Sequence, residues 1–139
     1  MQTPTSGRVQ LALNVSDLDE SIAFYSKLFD ASPAKIKPGY ANFAIEAPPL
    51  KLVLIENGDA GGINHLGVEV PDTDGVTAAI DRLQARELAT DVEKDVACCY
   101  AVQDKVWATA PDGEKWEYYT VLDDAETFAS STASSGCCA

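Results

Sequence analysis

The chain holds one histidine, one methionine, and only 10 lysines and arginines against 22 aspartates and glutamates. Its formal net charge of -12 repels phosphate backbones and anionic membrane surfaces, so nucleic acid is not an expected partner. No apolar run approaches the roughly 18 to 20 residues needed to cross a bilayer. The opening MQTPTSGRVQ also lacks the basic-then-apolar layout of a secretory signal. No membrane association and a cytoplasmic location are therefore expected. Cysteine is absent from most of the chain. The four present form two adjacent pairs, Cys98-Cys99 and Cys137-Cys138, rather than the spread of a disulfide framework. Adjacent cysteines bridge each other only through a strained small ring, whereas side-by-side thiolates are good soft ligands. What remains is ordinary: 139 residues, 46% hydrophobic and 23% charged, the size of one domain of roughly 100–200 residues.

Residues 8–28 (RVQLALNVSDLDESIAFYSKL) align without a gap on residues 63–83 (INHLGVEVPDTDGVTAAIDRL), 55 positions later. Each copy opens with strand-like alternation: Val9, Leu11, Leu13 and Val15 in the first, Asn64, Leu66, Val68 and Val70 in the second. An aspartate then starts a periodic helix. Leu18, Ile22, Tyr25 and Leu28 or Phe29 share one helical face, as do Val76, Ala79 or Ile80, and Leu83. Extended sequence follows at 40–45 and 50–56 in the first copy, and at 97–102, 105–109 and 115–121 in the second. The expected fold is α+β: two βαβββ modules, about 8–57 and 63–122, forming a single domain over residues 8–122. Residues 57–62 (NGDAGG) are the linker, and the acidic, Ser-rich residues 123–139 form a flexible tail carrying Cys137 and Cys138.

If Val9, Leu11, Leu13 and Val15 lie beneath the helix, then Gln10, Ala12 and Asn14 face the other side. Gln10 maps onto His65, the sole histidine, which is followed on its face by Gly67 and Glu69. In EKWEYYTVL, Lys115, Glu117, Tyr119 and Val121 share one face, and Trp116, Tyr118 and Thr120 the other. One amide, one imidazole and one carboxylate from Gln10, His65 and Glu117 can thus form a three-residue metal site with open positions. The bland alternative is a hydrogen-bonded core histidine, a polar sheet residue and a solvated carboxylate. Cys98 and Cys99 read either as small buried hydrophobes or as joint ligands, and joint capture requires a bend at the pair. Lys105 is the nearest cation downstream. Phe43, Tyr100, Trp107 and Tyr119 line a cavity or pack the core.

The runs RVQLALNVSDLDESIAFYSKLF, KPGYANFAI, PPLKLVLIEN, NHLGVEV, CCYAVQDKVW, PDGEKWEYYTVL and the terminal CC closely resemble the ArsI-type carbon-arsenic lyases. These belong to the glyoxalase or vicinal oxygen chelate superfamily, with extradiol dioxygenases and fosfomycin-resistance proteins. The resemblance runs from about Arg8 to Leu122. It implies paired βαβββ modules in an open, barrel-like mixed sheet, and an enzyme that uses Fe(II) and molecular oxygen. Such an enzyme converts trivalent organoarsenicals, methylarsenite and aromatic arsenicals among them, to inorganic arsenite. The resemblance places iron on Gln10, His65 and Glu117, makes Glu117 and His65 catalytic, and gives the arsenic to Cys98 and Cys99 as a dithiolate. Gln10 departs from the two-histidine pattern of many iron oxygenases, and Val53 stands where glyoxalase I has a fourth, acidic ligand. Two other readings stay open: a cysteine-based protein sequestering cadmium or arsenic, and another oxygen-chelate enzyme such as a dioxygenase or thiol transferase. An exposed sheet edge leaves room for a homodimer.

Overall fold

A computed structural model describes residues 7–98 and 100–124, the side chain of Cys98 excepted. The element order is βαβββ twice: β1 (Arg8–Val15), α1 (Leu18–Phe29), β2 (Lys35–Lys37), β3 (Tyr40–Ile45) and β4 (Leu50–Glu56), then β5 (Ile63–Glu69), α2 (Thr73–Ala85), β6 (Asp91–Cys98), β7 (Ala101–Thr109) and β8 (Lys115–Asp124). Both helices start at the aspartates that the repeat superposes. Asp17 accepts from the Glu20 backbone N–H and Asp72 from that of Gly75, each satisfying a donor that the first helical turn leaves open. None of the helices is long and apolar enough to cross a membrane, among the described residues.

The described residues divide into two compact units, one spanning Val9–Leu66 and the other comprising residues 67–98 and 100–124 together with 7–8. In the first the strand order is β2-β3-β4-β1-β5, with β1 and β4 parallel and β3 and β4 antiparallel. Its core lies under α1: Val15, Leu18, Ala41, Phe43, Ile45, Leu52 and Leu54, with Leu11, Leu13, Ile22, Tyr25 and Phe29 against them. Burying such side chains contributes about 1.5–3 kcal/mol each. One detail differs from expectation: Val9, at the start of β1, is 49% exposed and outside this cluster. Of Leu28 and Phe29, it is Phe29 that turns inward.

In the second unit the order is β8-β7-β6. Val68, Val70, Val76, Ala79, Ile80, Leu83, Val106 and Tyr118 pack together beneath α2. The expected continuous strand over 97–102 is instead a turn: β6 ends at Cys98, which pairs with Ala101, and Tyr100 takes φ 61. A register irregularity between Glu93 and Val96, with Asp95 at φ 55, interrupts β6. The Asp104 carboxylate accepts from the Asp95 backbone N–H through one oxygen (2.7 Å) and from the Thr73 hydroxyl through the other (3.1 Å).

Candidate functional site

In the first unit, Leu11, Leu13 and Val15 face α1, so strand alternation sends Gln10, Ala12 and Asn14 to the opposite face of β1. Gln10 is buried there, 5% exposed. Leu52 and Leu54 likewise face α1, which puts Val53 on the face of Gln10, apolar where glyoxalase I has an acid. Phe43 belongs to the core under α1 and not to this face, the core-packing alternative of the two open to it.

His65, on β5, is 2% exposed, and its Nδ1 lies 2.7 Å from Asn64 Oδ1. An amide oxygen only accepts, so the ring donates from Nδ1, and in the neutral ring the lone pair is then on Nε2. That is the tautomer suited to a metal at Nε2. Asn64 is anchored in turn, its Nδ2 donating to Asn14 Oδ1 at 3.0 Å.

In the second unit, Val106 and Tyr118 face α2, so Lys105, Trp107, Glu117 and Tyr119 take the other face of β7 and β8. Glu117 is 3% exposed and its Oε1 lies 2.9 Å from Lys105 Nζ, itself 1% exposed. The ammonium also sits over the Trp107 ring, 5.3 Å from the centroid. Trp107 Nε1 donates to Glu93 Oε1 at 3.2 Å. Lys105, weighed only as the cation nearest the cysteines, is therefore the ion-pair partner of Glu117. Glu93 is buried as well and stands opposite Lys105 in the register of β6 and β7.

The donor set of the expected site, one Nε2 lone pair, one amide oxygen and one carboxylate, suits a divalent first-row metal. Among the described residues no three His, Cys, Asp or Glu side chains cluster into a ready metal site. Cys99, Cys137 and Cys138 lie outside the described residues, as does the side chain of Cys98. The backbone places Cys98 at the last position of β6. The sequence reading missed the Asn14-Asn64 support of His65 and the Lys105-Glu117 pair; the only signals were an asparagine beside the single histidine and a lysine in an otherwise acidic chain.

A βαβββ order that occurs twice in one chain is the architecture of the glyoxalase class. The chain belongs to the Glyoxalase/Bleomycin resistance protein/Dioxygenase superfamily, whose family model matches residues 7–118. It is 61% identical over 133 residues to the "Trivalent organoarsenical cleaving enzyme" of Thermomonospora curvata, covering 94% of this chain and 87% of that one. It is 63% identical over 124 residues to the "Cadmium-induced protein CadI" of Mycobacterium tuberculosis, covering 88% and 82% respectively. Among solved structures, the Mn(II)-bound glyoxalase of Novosphingobium aromaticivorans superposes with a TM-score of 0.61 at 17% identity, over 91% of this chain and 43% of the other. At that identity the likeness concerns the fold.

Proposed function

We propose that this protein cleaves the carbon-arsenic bond of trivalent organoarsenicals, with Fe(II) held by Gln10, His65 and Glu117 and arsenic held by Cys98 and Cys99. The observation that carries the reading is the 61% identity to a relative named for that cleavage, across nearly the whole chain. The buried imidazole with its lone pair on Nε2 and the buried carboxylate of Glu117 support the metal part. As(III) is soft and thiophilic, so a vicinal dithiol is the capture group its chemistry prefers. Capture at sulfur keeps substrate binding separate from the oxygen and nitrogen donors, and orients the arsenic-bound carbon. Bound Fe(II) supplies the activation of dioxygen. One methylarsenite and one dioxygen balance to one arsenous acid and one formaldehyde. Arsenic stays trivalent, and the methyl carbon gives up the four electrons that dioxygen takes.

The test is anaerobic loading with Fe(II), then methylarsenite and air, measuring arsenite and formaldehyde. Wild type is expected to release both, Glu117→Ala to keep arsenic binding without turnover, and the Cys98→Ser/Cys99→Ser double variant to lose both. A second reading, thiol-based sequestration of cadmium or arsenite, is favoured by the 63% identity to a protein named as cadmium-induced. It requires tight metalloid binding with no arsenite released, and that result overturns the lyase. Intact turnover of a catechol or an epoxide by the double cysteine variant points instead to another oxygen-chelate enzyme.

A further inference from the structure

We propose that Asn64 is a positioning residue for metal binding, and that a hydrogen-bond chain beginning in the turn at Asn57 sets the tautomer of His65 before any metal arrives. The inference deepens the reading above, since it rests on His65 being a metal ligand. Free imidazole side chains in water favour the form with hydrogen on Nε2, the wrong form for binding a metal there. The first unit reverses that preference through groups whose polarity can be traced one by one.

The chain starts at a donor that allows no ambiguity. The backbone N–H of Asp59 donates to Asn57 Oδ1 at 2.8 Å, so the other end of the Asn57 amide must be its NH2. That NH2 donates to Asn14 Oδ1 at 2.7 Å, which fixes Asn14 with its oxygen toward the cluster. The same oxygen accepts from Asn64 Nδ2 at 3.0 Å, so Asn64 turns its own oxygen to His65 Nδ1 at 2.7 Å. Only an N–H on Nδ1 satisfies that oxygen. Asn14 is clamped by its backbone as well: its N–H donates to Gly62 O at 2.9 Å and its carbonyl accepts from Gly61 at 3.1 Å. One backbone amide in the turn thus dictates, through three side-chain amides, which ring nitrogen carries the lone pair. The internal repeat points the same way. The residue preceding Gln10 is Val9, the one preceding His65 is Asn64, and of the two expected ligands only the imidazole has a tautomer to fix.

The single histidine makes the test unambiguous, because every imidazole 15N resonance belongs to His65. In metal-free protein, at a pH where the ring is neutral, two-dimensional 1H-15N long-range spectra should show the Nδ1–H form for wild type. Asn64→Ala should move the ring toward Nε2–H. Asn57→Asp, which is isosteric, replaces the NH2 with a second oxygen. It should turn the Asn14 and Asn64 amides around and move the ring the same way from a distance. Co(II) titration should then show both variants binding about 10–100-fold more weakly than wild type. If Asn64→Ala fails to fold, Asn57→Asp carries the test alone. Wild type in the Nε2–H form, a ring that stays Nδ1–H in Asn57→Asp, or unchanged Co(II) affinity after a tautomer shift would each overturn the proposal. Wild-type protein that holds Nδ1–H yet binds neither Co(II) nor Fe(II) refutes the metal reading of His65, and the positioning role falls with it.

Discussion

Lys105→Met tests the ion pair that organises the second unit. Lys105 and Glu117 are 1% and 3% exposed, with nitrogen and oxygen 2.9 Å apart. For an exposed pair at this distance the contribution would be about 0–1 kcal/mol. Here the ammonium is out of water, and removing it leaves the Glu117 charge buried without its cation. The expected cost is about 3–5 kcal/mol. For a chain of this length that lowers the melting temperature by roughly 10–20 °C, taking about 3–5 °C per kcal/mol between the values for shorter and longer domains. Calorimetry on metal-free protein at neutral pH reads the change directly, and the difference should persist at high salt because a buried pair is weakly screened. Lys105→Met/Glu117→Leu, which removes both charges, should regain most of the loss. Melting of Lys105→Met within about 3 °C of wild type, a change below ~1 kcal/mol, or a double variant no more stable than the single one, would refute the argument.

Phe43→Ala should cost about 3–5 kcal/mol in urea denaturation while leaving Co(II) affinity unchanged, because Phe43 is fully buried under α1 on the face opposite Gln10. Weakened Co(II) binding in a folded variant would contradict that placement. Gly75→Ala puts a methyl 2.9 Å from Val70 Cβ, in the first turn of α2, and should destabilise by about 1–3 kcal/mol despite alanine's better helix propensity. A stability gain in thermal melts would show that Val70 yields freely.

Much of the architecture was legible because the two modules repeat in register. One gapless alignment located both opening strands and both helix caps, and alternation assigned Gln10 and Glu117 to the helix-free faces of their strands. What escaped it were features that depend on non-local partners. The strand expected across Cys98 and Tyr100 is broken by a turn at Tyr100, a bulky residue at positive φ that carries no turn signature of glycine or asparagine. β2 has only three residues and too little alternation to stand out. Phe43 looked like a candidate for either face because alternation fixes which residues agree, not which side the helix covers. The amide chain to His65 joins residues up to 50 positions apart, and the charge of Lys105 gave no hint that it would be buried against Glu117.

The two bonds to Asp104 bear on how strain travels in the second unit. One oxygen holds the amide of Asp95 at the irregular point of β6, three residues before Cys98, while the other holds the hydroxyl that opens α2. The cysteine-bearing end of β6 and the start of α2 therefore share a single carboxylate. A rearrangement that straightens β6 at Asp95 must give up or reshape the bond that seats it, and a change at Thr73 reaches the same group from the helix side. In mechanical terms Asp104 is a common rivet between the strand that leads to Cys98 and the first turn of α2.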